Sequence, residues 1–248
     1  MTANLAATFG LARSIAIYYG MPWRRSSLKR FYSSLVKPGD LVFDIGAHVG
    51  SRSRTLSQLG ARVVAVEPQP LFADFLSRHL AKDLIALERV AVGRENGEID
   101  LHISSRHPTV TSISTAFVET AGRTAGFSSV EWDRTVRVPM VTLADLVQRH
   151  GLPDFCKIDV EGAEADILTG VGEPLPLVAF EYIPAMPELT DAALAALEAR
   201  GRYRFNRVVG ETHRFVEPDW IGLDELRTQI RRLPRDASSG DIYARLSP

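Results

Sequence analysis

Short apolar runs alternate with helical segments along most of the chain after residue 40. Residues 41–43, 62–66 and 84–92 form apolar runs that predict buried strands. Between them, residues 52–59 and 71–81 have the pattern of helices. Strands that are apolar throughout and alternate with helices are typical of a parallel sheet covered on both faces. The pattern therefore predicts the first half of a doubly wound α/β domain.

The alternation resumes after residue 140. Thr142, followed three residues later by Asp145, predicts a capped helix. Residues 155–160 and 175–180 predict further buried strands, and a helix rich in alanine and leucine follows at residues 191–200. The whole pattern predicts an open α/β sheet, mostly parallel, with helices on both faces.

Two segments fall outside this alternation. Residues 1–37 predict a helical extension, which could act as a lid, in front of a main domain at residues 38–248. Residues 93–140 form an insertion in which strand-like alternation flanks a stretch rich in serine and threonine. This stretch has no packing period of its own, so we expect it to line a substrate pocket together with the N-terminal helices. Its polar residues include Thr111, Ser112 and Ser114.

The segment from Asp44 to Gly50, with the sequence DIGAHVG, joins the first predicted strand to the first helix. A dinucleotide site would need G-x-G-x-x-G, so that a pyrophosphate can approach the backbone and the helix closely. The spacing D-x-G-x-x-x-G builds a single tight turn and a single close approach, which favours a nucleoside that carries an amino-acid tail. Glu67, 23 positions after Asp44, ends the second strand, where a carboxylate can accept both ribose hydroxyls.

A second polar group lies at the end of the predicted strand at residues 155–160. Strand alternation places Lys157, Asp159 and Glu161 on one side, and Glu181 follows the next strand. Buried charges need partners, so Lys157 could be only a counter-ion for one carboxylate. Clustered acids at the crevice where open α/β sheets bind ligands instead favour catalysis, with Asp159 as the proton acceptor, aided by Glu161 and Glu181.

Composition narrows the possible partners and location. The chain has 248 residues, and its 29 lysines and arginines are balanced by 30 aspartates and glutamates, so a nucleic-acid partner is not expected. The single cysteine, Cys156, excludes a disulfide framework and a cysteine-based zinc site, which favours a reducing cytoplasm. The apolar stretch at residues 5–19 is too short to span a bilayer, so no integral membrane segment is expected.

Five motifs, in order and spacing, resemble those of the FkbM-family methyltransferases. They are VFDIGAHVG at residues 42–50, VVAVEPQP at 63–70, VTLADL at 141–146, KIDVEGAE at 157–164 and FEY at 180–182. The resemblance runs from about Pro38 to GDIYARL at residues 240–246. It implies the Rossmann-like class I methyltransferase sheet of seven strands, S-adenosylmethionine as the methyl donor, and methylation of a hydroxyl on a sugar or natural product.

The resemblance also suggests which residues bind the cofactor. It places Asp44, Gly46 and Gly50 at the methionine end and Glu67 at the ribose. We also expect contacts with the cofactor from Ala47, His48 and Pro68, which adjoin these residues, and from Ala91. Asp159 could contact the methionine end instead of acting as the base, and His48 is a secondary candidate for the base.

Three alternatives remain at this point. An NAD(P)-dependent oxidoreductase would share the fold and the ribose-binding acid, although the middle glycine of its loop is missing here. A Rossmann-like module could bind a nucleoside without catalysis. The carboxylates of Asp159, Glu161 and Glu181 could hold Mg²⁺, but no motif demands it, so no metal is expected.

Overall fold

The computed structural model of the protein describes residues 2–20, 22–107, 110–121 and 130–247. The strands of this part of the chain are Leu41–Ile45 (β1), Arg62–Val66 (β2), Ala86–Glu88 (β3), Ala91–Gly93 (β4), Gly97–Ile103 (β5), Arg134–Thr142 (β6), Phe155–Ile158 (β7), Leu177–Tyr182 (β8), Tyr203–Val209 (β9) and Gly240–Leu246 (β10). The helices are Thr2–Tyr19 (α1), Pro22–Tyr32 (α2), Ser51–Ser57 (α3), Pro70–His79 (α4), Thr115–Ala121 (α5), Leu143–His150 (α6), Glu164–Thr169 (α7), Pro187–Glu198 (α8) and Leu223–Arg231 (α9).

The main sheet has seven strands in the order β3-β2-β1-β7-β8-β10-β9. The first five are parallel, and β10 runs antiparallel to both β8 and β9. This order and direction confirm the predicted Rossmann-like class I methyltransferase sheet.

Burial explains why the central strands read as apolar runs. All five residues of β1 and all four residues of β7 are buried, because helices cover both faces of the sheet. On one face Leu143, Leu146 and Leu194 join the core from α6 and α8, and on the other Tyr32 packs against Phe155, with ring centroids 5.9 Å apart. The predicted helix at residue 142 is confirmed, because Thr142 and Asp145 form a reciprocal capping box.

The predicted strand at residues 84–92 is wrong as a single element. The chain leaves the main sheet after Glu88, and β4 pairs with β6 in a second sheet of order β4-β6-β5. An apolar run does not show such a change of partner, because both short strands are packed against apolar neighbours.

The insertion contains a helix that the sequence pattern did not predict. Its helix α5 begins after Ser114, whose hydroxyl accepts a hydrogen bond from the Phe117 amide at 3.1 Å. Phe117 then packs with Ile183 and Met186, just beyond β8. Residues 108–109 and 122–129 of the insertion lie outside the described residues.

The N-terminal helices α1 and α2 pack on the domain. In α2, Phe31 lies edge-on to Tyr243 of β10, with ring centroids 5.3 Å apart. In α1, the Tyr19 hydroxyl donates a hydrogen bond of 2.9 Å to the Val49 carbonyl in the glycine loop. None of the helices in the described part of the chain has the length and apolarity needed to cross a membrane.

Candidate active site

The carboxyl ends of β1, β2, β7 and β8 meet at one edge of the sheet and bring the predicted residues together. The loop after β1 is anchored there, since the Gly46 amide donates to the Val66 carbonyl at 2.9 Å. Gly46 has a φ of +83°, and a side chain at this position would collide with the Asp159 carbonyl. Gly50, by contrast, lies beneath the loop, where it packs against Leu76 of α4 and Leu80 directly after it.

Asp44 and Glu67 are both buried at this edge. The Asp44 carboxylate accepts a hydrogen bond from the Ser53 hydroxyl. The Glu67 carboxylate accepts one bond from the His48 amide at 2.7 Å and one from the Gln69 amide at 2.8 Å. Burial raises the pKa of Glu67 to about 7, although these two bonds oppose the shift. Each oxygen keeps a further lone pair that a ligand hydroxyl could use.

A first cavity extends from the glycine loop past Glu67 towards β4. Three residues that the sequence predicts to contact the cofactor line it: Glu67, Pro68 and Ala91. Sequence reasoning missed several of its other residues, which come from α4, from the loops after β2 and β3 and from the insertion: Gln69, Phe72, Val90, Leu101 and Ile113. Thr111, expected at the substrate, also lies here. The adjacent Ser112 instead supports the site, because its hydroxyl donates to the Glu161 carbonyl at 2.6 Å.

A second cavity lies on the other side of the glycine loop. It shares Gly46, His48 and Asp159 with the first cavity, so the two cavities are adjacent at these residues. Its other lining residues come from α1, the glycine loop, α3 and the loop after β7: Tyr18, Asp44, Ala47, Ser51, Arg52 and Glu161. Sequence reasoning missed Tyr18 and Arg52, although Arg52 stands only two positions after Gly50.

His48 separates the two cavities. Its ring lies 4.0 Å from the Phe72 ring and 5.6 Å from the Tyr18 ring, measured between centroids. Burial lowers the pKa of His48 to about 4, so the imidazole is neutral at pH 7. Its Nε2 atom is buried without a hydrogen-bond partner among the described residues.

Three of the predicted catalytic residues form one cluster. Carboxylate oxygens of Asp159, Glu161 and Glu181 all lie within 4.8 Å of one another. Burial, with the carboxylate of Glu181 as the next cause, raises the pKa of Glu161 well above its usual value. Burial and the charge of Asp159 raise the pKa of Glu181 to about 8. Burial and mutual repulsion therefore make Glu161 and Glu181 stronger bases than an exposed carboxylate, so a proton taken up by the cluster would reside on one of them.

Lys157 lies beneath the cluster and is completely buried in β7. Its Nζ is 3.1 Å from an oxygen of Asp241 and 3.4 Å from an oxygen of Asp159. Burial alone would lower the pKa of Lys157, but these two carboxylates raise it. Burial alone would raise the pKa of Asp159, but the positive charges of Lys157 and Arg52 hold this pKa below its usual value. Asp159 is thus the member of the cluster that ionises most readily.

The same three carboxylates could hold a divalent cation, since oxygen ligands at such separations suit Mg²⁺. Lys157 and Arg52, however, already provide positive charge beside Asp159. The expectation that no metal takes part stays a prediction.

The two adjacent cavities define a class I methyltransferase site: a buried acid after β2, a glycine turn after β1 and acids after β7 and near the end of β8. Residues 44–226 match the family described as "Methyltransferase FkbM domain". This match covers most of the chain, which therefore belongs to the FkbM methyltransferase family.

Known proteins of this kind are similar to the chain over much of its length. The 2-O-methyltransferase NoeI of Sinorhizobium fredii is 30% identical over 63% of this chain and 69% of its own length. The 31-O-demethyl-FK506 methyltransferase FkbM of Streptomyces tacrolimicus is 26% identical over 79% of this chain and 82% of its own. Among solved structures, an O-methyltransferase from Bacillus cereus in complex with SAH is 10% identical, with a TM-score of 0.48 over 99% of this chain and 90% of that one.

Family membership confirms that the chain is a methyltransferase with S-adenosylmethionine as its methyl donor. It favours neither the NAD(P)-dependent oxidoreductase nor the non-catalytic nucleoside-binding module.

Proposed function

We propose that the protein transfers the methyl group of S-adenosylmethionine to a hydroxyl group of a sugar or small natural product. The observation that carries this proposal is the cluster of Asp159, Glu161 and Glu181, in which two buried carboxylates have raised pKa values. An alcohol becomes a good nucleophile only as its proton leaves, so transfer to oxygen needs a proton acceptor of this kind. The two relatives named above, a 2-O-methyltransferase and a methyltransferase of 31-O-demethyl-FK506, support the same acceptor atom.

The cofactor would span both cavities. Glu67 would accept the ribose hydroxyls in the first cavity, where Pro68 and Ala91 lie against the adenosine. The methionine tail would occupy the second cavity, beside Asp44 and the backbone of Gly46, Ala47 and His48. Gly50 would act indirectly, by letting the loop pack closely on α4.

Methyl transfer is an in-line displacement. The acceptor oxygen forms a bond to the methyl carbon while the carbon–sulfur bond breaks and its electron pair stays on sulfur. The enzyme must hold these three atoms nearly collinear, and such positioning supplies much of the rate. The acceptor proton passes to a carboxylate, so the reacting oxygen would lie close to the acids after β7 and near the end of β8.

The four predicted catalytic residues would have different roles. Glu161 or Glu181, in its ionised form, would accept the proton, because the raised pKa values make their carboxylates the stronger bases. Asp159 orients the hydroxyl as a fixed charge, and Lys157 keeps it ionised. His48, with its lowered pKa, is the weaker candidate.

Two segments would complete the acceptor side. The helices of residues 1–37 would act as a lid, since Tyr18 of α1 lines the second cavity. The insertion at residues 93–140 would cover the cofactor through Leu101 and Thr111 and the acids through Phe117 and Ser112. The balanced charge of the chain favours an acceptor other than nucleic acid, and the cytoplasmic location expected from the single cysteine stays a prediction.

The test supplies S-adenosylmethionine with a ¹³C-labelled methyl group and a panel of glycoside and polyketide acceptors. We expect one of these acceptors to give a product with an O-¹³CH₃ group, which its carbon chemical shift identifies. Product labelled on nitrogen or carbon would contradict the proposal.

Once an acceptor is found, Glu161→Gln or Glu181→Gln should lower turnover by about 10²-fold, the usual contribution of a general base. Cofactor affinity should stay unchanged in Glu181→Gln, because Glu181 lines neither cavity.

Glu188→Gln is the matched control, since this exposed glutamate on α8 lies away from the cluster. Full turnover in a protein carrying both Glu161→Gln and Glu181→Gln would eliminate the base role. Loss of activity in EDTA that Mg²⁺ restores would instead make the carboxylates metal ligands.

A further inference from the structure

Arg52 is a charged residue of the second cavity to which the reaction assigns no role. It stands near the start of α3, directly after the glycine loop, and only 19% of its side chain is exposed. Of the described residues that line this cavity, Arg52 alone carries a fixed positive charge. The cavity otherwise presents the carboxylates of Asp44, Asp159 and Glu161.

Arg52 is held between two carboxylates from separate loops. One guanidinium nitrogen donates to a Glu211 oxygen at 3.2 Å, and another lies 3.6 Å from a carboxylate oxygen of Asp159. The second distance is too long for a hydrogen bond, so this side of the guanidinium keeps donors that are free for a ligand. Asp159 belongs to both cavities and Glu211 to neither, so the open side of Arg52 faces the ligand space.

The methionine tail of the cofactor carries an α-carboxylate and an α-ammonium group. A carboxylate that leaves water for a cavity lined by acids needs a cationic partner, and the planar guanidinium suits it because it can donate two parallel hydrogen bonds. The ammonium group, bonded to the same carbon, can face the acids on the opposite wall.

We propose that Arg52 binds the α-carboxylate of the cofactor's methionine tail. This inference rests on the placement of the cofactor across both cavities in the proposed function. It makes Arg52 a cofactor-binding residue that selects ligands with a complete amino-acid tail, while Glu211 holds the guanidinium in place.

The test compares two ligands that differ only in this carboxylate, S-adenosylmethionine and decarboxylated S-adenosylmethionine. Their affinities are measured by calorimetry for the wild-type protein, Arg52→Ala and Arg52→Lys. We expect Arg52→Ala to weaken S-adenosylmethionine binding by about 10- to 100-fold, as for the loss of a charge-assisted hydrogen bond. The affinities of the wild-type protein and Arg52→Ala for decarboxylated S-adenosylmethionine should agree within about twofold, since this ligand lacks only the group that Arg52 contacts. Arg52→Lys should retain part of the discrimination.

Arg54→Ala is the matched control, because Arg54 lies two positions further along α3 and pairs with Asp83 outside the second cavity. It should bind both ligands as the wild type does. Equal losses for the two ligands in Arg52→Ala would make Arg52 a structural residue and overturn the inference, as would unchanged binding of both. If the wild-type protein bound neither ligand, this result would instead contradict the proposed placement of the cofactor across both cavities.

Discussion

Gly46→Ala should lower the free energy of unfolding by about 3 kcal/mol or more and abolish measurable binding of the cofactor. Two costs combine at this position. Alanine at a φ of +83° is strained by about 1 to 3 kcal/mol. Its Cβ would also lie within 2.9 Å of the Asp159 carbonyl carbon and would overlap the carbonyl oxygen. That contact joins the loop after β1 to the loop after β7, so relief of the overlap must separate the two halves of the cofactor site.

Gly39→Ala separates the two costs. Gly39 has a φ of +93°, but a Cβ there would meet no atom within 4 Å. We expect Gly39→Ala to cost about 1 to 2 kcal/mol from backbone strain alone and to leave cofactor binding intact. Urea denaturation of both variants gives the comparison. Equal costs for the two substitutions would show that the close approach of Gly46 to Asp159 contributes nothing.

Lys157→Met should lower the free energy of unfolding by about 3 to 5 kcal/mol, because it leaves two carboxylates at a buried site without their cation. Lys157 is 0% exposed and touches both Asp159 and Asp241. Methionine has a similar length, so lost packing contributes little to the change. The loss should diminish at low pH, where the Asp159 carboxylate, whose pKa Lys157 holds below its usual value, takes up a proton and no longer needs a counter-ion.

A second substitution tests this explanation of the Lys157 effect. Asp241→Asn removes one of the two acids, so the doubly substituted protein should recover part of the loss seen with Lys157→Met alone. Lys82→Met provides a control at an exposed lysine and should change stability by less than about 0.5 kcal/mol. If the costs of Lys157→Met and Asp241→Asn simply add, Lys157 is not coupled to Asp241.

The sequence predicts those site residues that lie where a strand ends and the chain turns into a helix. Asp44, Gly46 and Glu67 lie at the carboxyl ends of parallel strands, so their place at the crevice depends only on the order of β1 and β2. The same reasoning brought Asp159 and Glu181 together, because β7 and β8 are neighbours in the sheet.

Other residues reach the site through tertiary contacts that no local pattern encodes. Tyr18 does so because α1 packs on the glycine loop, where the Tyr19 hydroxyl bonds to Val49. Ile113 does so because the insertion folds back as a second sheet beside the first cavity. The ionisation of Asp159 likewise depends on Arg52 and Lys157, so its role as a base could not be judged from its position in a motif.

Calorimetric titration with S-adenosylhomocysteine at pH 8 and pH 6 tests the central claim most directly. In the free protein the pKa of Glu67 is about 7, and the ribose hydroxyls require the carboxylate. As the pH falls, the ligand must expel a proton, so binding should be about tenfold weaker at pH 6 than at pH 8. Glu67→Gln should weaken binding at pH 8 by about 1 to 3 kcal/mol and remove this dependence on pH. Binding as tight as wild type in Glu67→Gln, with the same pH dependence, would contradict the account.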